Sequence, residues 1–513
     1  HGLDCDLQAM KVLQKVLRQG KWKITVAVHE ATPGKEGGQI VAVWPGFHDA
    51  IYGLAVDIGS TTIAAHLCEL HTGNVVAAAG AMNPQIRFGE DLMSRVSYVM
   101  MNPGGDAEMT AVVREALNGL AADVAREAGV TREDIVAMTV VGNPIMHHLF
   151  LGLDPTELGG APFALTVDRA MTLEARELGL SFHPGARVYV LPCIAGHVGA
   201  DTAGVILSES PHTSDRPMLV VDVGTNAELV LGNKDRLLAA SSPTGPAFEG
   251  AQVSCGQRAA PGAIERLRID RATLDPRYKV VGCDLWSDDP GFAAATAATG
   301  VTGICGSGII EAIAEMYLAG ILTADGVIDG SLVQRSPRLE PTDRTFSYLI
   351  RAGEPAIRVT QNDVRAIQLA KAALYAGARL LMDRYGIDTV EKIVLTGAFG
   401  SHIDPLYAMV LGMIPDCPLK GVSAAGNAAG TGARIALVNR AARAEIERVT
   451  RQVEKVETAV EPRFQAHFVE AMAIPHKTAP CPNLAAAIEL PVARADTATD
   501  GAASERRRRR RRG

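Results

Sequence analysis

Residues 53–70 read GLAVDIGSTTIAAHLCEL, and residues 218–232 read MLVVDVGTNAELVLG. Each stretch runs an apolar segment into an aspartate, one more apolar residue, a glycine and a hydroxyl, then resumes an apolar run. The pattern predicts strand, tight turn and strand, written twice in one chain. An aspartate at the end of a buried strand is costly when unpaired, and a divalent cation would compensate it. The glycine lets the backbone approach a bulky anion, and the amides of Gly-Ser-Thr-Thr point toward phosphates. Asp57 and Asp222 are therefore the candidate catalytic and Mg²⁺-contacting residues, through water because Mg²⁺ dehydrates reluctantly. Gly59, Ser60, Thr61, Thr62, Gly224, Thr225 and Asn226 are the candidate phosphate contacts. One such turn occurs by chance in many hairpins; two facing turns make a clamp on a polyphosphate.

Outward from these turns the chain alternates strands and helices. NVVAAAGAMN extends the first hairpin, AEMTAVVREALNGLAADVAREAG is a long amphipathic helix, and IVAMTVVGN is a buried strand. PIMHHLFLGL opens a helix at Pro144, and RVYVLPCIAG is a further strand. After the second hairpin come a second long helix, VRAIQLAKAALYAGARLLMDRYG, and the strand and glycine loop KIVLTGAFGSHID. In that loop Gly397 and Gly400 offer bare backbone to a nucleoside. In GVTGICGSGIIEAIAEM, Gly306 lies where a helix N-terminus could face the nucleotide, with close helix-on-strand packing as the alternative.

This order predicts an α/β protein with 51–205 as one half and 206–440 as the other. Residues 1–50 read as a helix and two strands, joined by the turn PGKEGG and too small to fold alone. Residues 441–490 carry the charged helix NRAARAEIERVTRQVEKVETA and a terminal segment. Residues 491–513, ending in the arginines 506–512, read as a disordered tail.

Totals exclude several classes. Lys and Arg number 50 against 57 Asp and Glu, a net charge of −7, which argues against a nucleic-acid or anionic-membrane surface over most of the chain. No apolar run near membrane-spanning length occurs, and a cytoplasmic location is expected. The eight cysteines include no C-x-x-C pair, so zinc-ribbon and common iron–sulfur spacings are missing and buried free thiols are expected. Adjacent His147 and His148 point in different directions on a helix, so core packing is favoured over metal binding. Glu249 could orient a water or cap a helix start; His197 and Asp201 sit in a glycine-rich loop and could touch nucleotide or partner.

The doubled turn, with the glycine loop after VLT, resembles the phosphate and adenosine segments of the superfamily joining acetate and sugar kinases, heat-shock ATPases and actin. The resemblance implies a duplicated actin-like ATPase (ribonuclease H-like) fold, two lobes around a nucleotide cleft. Longer strings are similar to the reductive activators of corrinoid proteins (the ASKHA-domain, DUF4445 type): NPQIRFGEDLMSRV, TVVGNPIMHHLFLGLDP, LPCIAGHVGADTAG, SSPTGPAFEGAQVSCGQRAAPGAIE, TGICGSGIIEAIAEM and HFVEAMAIPH.

That resemblance implies ATP and Mg²⁺ driving a cobalt(II) corrinoid protein of a methyltransferase system to cobalt(I), nucleotide state biasing the cobalt's ligation by population shift. It implies a corrinoid protein and an electron donor such as ferredoxin as partners, and a homodimer. Such activators usually carry a 2Fe-2S ferredoxin domain at the N-terminus. No four-cysteine cluster is present in this sequence, so the cluster is expected only in a domain upstream of His1 or in a separate protein. The other readings are a small-molecule kinase of the same superfamily and a non-catalytic nucleotide-switched binding module. The related activator of radical dehydratases, to which Cys305 invites comparison, lacks support from the longer strings.

Overall fold

Both faces of the strand GLAVDI are covered, which is why it is apolar without alternation. Leu54, Val56 and Ile58 enter one hydrophobic core and Ala55 another. A computed structural model describes residues 2–30, 37–89, 91–397 and 400–491. The arginine tail, most of the PGKEGG turn and Ala398 and Phe399 of the glycine loop lie outside the described residues. The chain divides into two compact units. One is the chain through Pro246 with Ala373–Pro405 and Lys420–His467; the other is Ala247–Ala372 with Leu406–Leu419 and the chain from Phe468.

The first unit contains two sheets built alike. In one, Tyr52–Ile58 pairs antiparallel with Thr62–Glu69, which pairs antiparallel with Val75–Met82; Ile135–Gly142 and then Arg187–Val190 follow in parallel on the other side. In the other, Met218–Val223, Ala227–Gly232 and Leu237–Ser242 form the same meander, and Ile393–Thr396 and Val422–Ala424 add in parallel. Asp57 and Asp222 occupy the same penultimate position of the first strand in each sheet. The duplicated architecture expected from the two motifs is thus present in five strands of each sheet, while the sixth differs: Met171–Glu174 adds antiparallel to Arg187–Val190 in one, and Glu454–Lys455 adds in parallel to Leu237–Ser242 in the other.

Helices Gly105–Ala128 and Pro144–Leu151 pack on one face of the first sheet. Helices Ala200–Glu209 and Ala428–Val438 join the apolar faces of both sheets in one core. These two helices touch backbone to backbone: a Cβ on Gly432 would lie 1.9 Å from the Gly204 carbonyl oxygen, and one on Gly204 would lie 2.7 Å from that of Ala429.

The N-terminal segment is a helix, Leu7–Gln19, on a three-stranded sheet of Leu3–Cys5, Gly38–Pro45 and Ile24–Glu30. It is tied to the first sheet by the buried Asp6, whose carboxylate accepts from Arg187 Nη2 at 2.9 Å, while Gln39 accepts from the same nitrogen at 2.7 Å. Arg187→Ala would leave the buried Asp6 with only the Gln8 amide at 2.7 Å and the more distant, exposed Arg176 at 3.8 Å. The expected loss is about 3 kcal/mol, read as a lower urea midpoint, and adding Asp6→Asn should restore most of it.

The charged C-terminal helix is shorter than its composition predicts. It spans Arg440–Thr450, and Glu454–Lys455 leave helical structure to pair in parallel with Leu238 and Ala239 at the edge of the second sheet. Among the described residues, no helix is long and apolar enough to cross a membrane.

In the second unit, helix Gly306–Leu318 lies on the strand pair Ala263–Ile269 and Pro276–Val280. A Cβ on Gly308 would meet the Ile264 carbonyl oxygen at 2.2 Å, so this glycine serves close packing. Glu311, fully buried, accepts from the Leu267 amide at 3.0 Å and from the guanidinium groups of Arg266 and Arg268.

Candidate functional site

The two phosphate-type turns meet. In the first, the Gly59 amide donates to the Thr62 carbonyl at 3.0 Å; in the second, the Gly224 amide donates to that of Asn226 at 3.0 Å. A Cβ on Gly59 would lie 2.6 Å from the Thr62 oxygen, so only glycine closes that turn without displacement. The hydroxyls of Ser60 and Thr225, one from each turn, stand 3.4 Å apart. Behind the second turn the Thr244 hydroxyl is 3.2 Å from the Gly224 oxygen and 3.1 Å from that of Thr225.

Four carboxylates interact within this region. Asp57 and Asp222 each stand one residue before the end of a strand. Asp201 stands in the first turn of helix Ala200–Glu209 and accepts from the Thr202 amide at 2.7 Å. Glu228 is paired across the strands with Asp222 and accepts from the Ser241 hydroxyl at 3.3 Å. Burial pushes Asp57 up to about 7, with the Asp222 charge adding to the rise and a 2.8 Å hydrogen bond from Asn427 Nδ2 opposing it. Burial likewise pushes Asp222 up to about 6; Thr396 restrains the rise, although its hydroxyl falls outside full hydrogen-bond geometry. Asp201 is raised by burial and then by Asp222 and Asp57; Glu228 is raised by burial and then by Asp201 and Asp222.

Asp222 also dictates a glycine opposite. Gly397 has φ +100°, and a Cβ there would lie 2.7 Å from Asp222 Oδ1 and 2.5 Å from the Val223 carbonyl oxygen. Gly397→Ala combines left-handed strain with this collision. It is expected to cost about 1–3 kcal/mol of stability, read by thermal melting, and to displace the Asp222 carboxylate.

The first unit thus brings together Asp57, Asp222, Gly59, Ser60, Thr61, Thr62, Gly224, Thr225, Asn226, Gly397 and Gly400. Gly306 is buried in the second unit, which also holds Glu249. His147 and His148 are buried. His148 bridges the Pro144 carbonyl (2.8 Å) and the Thr166 amide (3.0 Å). Burial depresses His147 to about 3, as core packing requires. All eight cysteines are free, and Cys305 is buried.

Sequence reasoning left Asp201 open and missed Glu228, Asn427, Asn83 and Arg95. Asn427 is the N-cap of helix Ala428–Val438, accepting from the Gly430 amide at 2.7 Å. A lone Asn before a run of small residues was the available signal. The Asn83 amide group donates to the Gly59 oxygen at 2.8 Å.

Comparison with known proteins accounts for most of the chain. The RACo linker region matches residues 1–50, the RACo middle region 52–214, and the C-terminal domain of RACo, the ASKHA domain, 216–485. The chain is similar to the corrinoid activation enzyme RamQ of Eubacterium limosum, 34% identical over 426 residues that make up 81% of this chain and 69% of the relative. It is 26% identical over 393 residues to the Co(II) methylated amine-specific corrinoid protein reductase of Methanosarcina barkeri, covering 71% and 66% of the two. Among solved structures, the reductive activator for corrinoid, iron-sulfur protein superposes with a TM-score of 0.81 at 32% identity, over 93% of this chain and 74% of that one.

Proposed function

The chain belongs to the RACo family, and from that premise we propose that it binds and hydrolyses ATP to drive one-electron reduction of a corrinoid protein's cobalt from Co(II) to Co(I). The observation that carries this reading is the meeting of the two aspartate-bearing turns at Ser60 and Thr225, in a chain whose family acts on corrinoid proteins. The two halves read from the sequence, 51–205 and 206–440, each contribute one turn. Their amides and hydroxyls hold the phosphate chain, and Gly397 and Gly400 border the nucleoside. Asp201, in hydrogen-bond contact with its own helix and surrounded by other carboxylates, is the group placed to orient and deprotonate the attacking water.

The donor set fits a hydrated cation. Four mutually repelling carboxylates call for positive charge, yet no group of three or more Asp, Glu, His or Cys among the described residues is arranged to ligate a metal directly. Asp57 and Asp222 would hold Mg²⁺ through its water shell, and the ion would supply charge neutralisation for the phosphates.

The electron balance is simple: cobalt gains one electron and a low-potential donor loses one. The eight cysteines include no four-cysteine cluster, so the donor, an iron–sulfur protein or domain such as a ferredoxin, lies outside these 513 residues. ATP turnover supplies the uphill part by favouring the complex in which cobalt is more readily reduced.

An anaerobic mixture of the chain, a Co(II) corrinoid protein, reduced ferredoxin and MgATP tests the reading. Co(I) absorbance should grow with ATP and stay near baseline without it. Equal growth in both would overturn it, and phosphoryl transfer to acetate, glycerol or sugars would favour the kinase instead.

A further inference from the structure

We propose that Arg95 is the positioning residue of the first phosphate turn. It serves as a fixed buried cation behind Ser60 that makes the site rank nucleotides by the charge of their phosphate chain. This rests on the nucleotide-binding reading above.

Arg95 belongs to helix Leu92–Met101 and is fully buried, the largest side chain so enclosed among the described residues. Its Nη2 donates to the Ser60 carbonyl at 2.5 Å and its Nε to the Gly89 carbonyl at 3.0 Å. Its Nη1 faces Gln85 Oε1 at 3.4 Å and Met146 Sδ at 3.3 Å. Among the described residues, every acceptor of Arg95 is neutral. Asp91 acts on Arg95 only through longer-range attraction, its carboxylate being engaged as the cap of the Ser94 amide. Burial lowers Arg95 to about 10, which leaves it protonated at neutral pH. Burying a guanidinium among neutral acceptors is expensive, and a neutral donor could hold one carbonyl equally well. The retained charge points to an anion on the far side of the turn.

The turn's own geometry agrees. Its three successive carbonyls are all drawn to the same inner side: Gly59 by Asn83 Nδ2 at 2.8 Å, Ser60 by Arg95, and Thr61 by the Asn83 amide at 2.9 Å. In a planar trans peptide the N–H points opposite to the C=O. The amides of Ser60, Thr61 and Thr62 therefore face away from Arg95 and form a concave donor surface for an anion. Arg95 fixes the middle peptide of this surface and places a full positive charge behind it.

The test measures binding of MgATP, MgADP, AMP and inorganic tripolyphosphate to the full chain by calorimetry. For Arg95→Gln, affinity should fall about tenfold for each unit of ligand charge facing the turn, by attraction in a medium of effective dielectric about 20. Net charge grows from MgADP through MgATP and AMP, which are alike, to tripolyphosphate, so MgADP should change least and tripolyphosphate most. An equal loss across the series, or none, would overturn the proposal and leave Arg95 as a loop tie. Should Arg95→Gln not fold, Arg95→Lys decides: it keeps the charge without the fork, so the ranking by ligand charge must survive, and its collapse would overturn the proposal. A wild-type chain that binds no nucleotide would instead sink the reading on which this one rests.

Discussion

Changing Asp57 and Asp222 together to asparagine is expected to abolish the heat of MgATP binding, and either change alone to weaken binding about 100-fold. A single charge-assisted interaction is worth roughly 1.5–3 kcal/mol, and the two turns act on one ligand, so the double loss exceeds measurable affinity. The same substitutions should leave the fold intact. Each removes a carboxylate that burial already holds well above its ordinary range. Retention of the melting transition with loss of the binding heat locates the effect in the site. Unchanged heat in the double variant would dissolve the clamp.

The second large effect concerns Asp201. Asp201→Asn is expected to reduce ATP turnover by about 100-fold or more, on the usual contribution of a general base, with ATP affinity nearly unchanged. It should also stabilise the free protein, but only at higher pH. The sign follows from the upward shifts. A carboxyl raised in the folded state favours its neutral form there. The folded state is then unpenalised below the unfolded value near 4 and loses stability as pH rises through the folded values, about 6 for Asp222 and about 7 for Asp57. Asp201 is raised by burial and by both of these neighbours. Asp201→Asn removes one member of the repelling set, so the melting temperature should rise at pH 8 and stay level at pH 4. Mg²⁺ should narrow the difference at pH 8, because cation binding requires the deprotonated carboxylates. A variant equally active, or destabilised at pH 8, contradicts this account.

What could be read from the sequence was whatever depends on neighbours along the chain. The Asp-x-Gly-hydroxyl turns are closed by hydrogen bonds only a few residues long, so their residues sit together in the sequence. Gly397 follows an apolar strand and is equally local. Glu228 is different. In AELVLG it reads as an ordinary polar position of a strand, and it becomes a site residue only because hairpin register sets it across from Asp222. Arg95 reads as a surface charge in LMSRVSYVMM, and only the enclosure of that helix face beneath the Ser60 turn reveals it. Asn427 reaches Asp57 across 370 residues of chain, a distance no local pattern encodes. The overextended C-terminal helix has the same origin: composition favours helix through Ala459, while pairing with the sheet edge takes Glu454 and Lys455 away from it.

The contact at Gly204 and Gly432 joins a helix that begins beside Asp201 to one capped by Asn427, the partner of Asp57. Main chain rests directly on main chain at this point, while Val205, Ile206, Ala433 and Leu437 interlock around it. The spacing of the two helices is therefore set by backbone, and a single methyl group added at either glycine would wedge apart the supports of Asp201 and of the Asn427 cap.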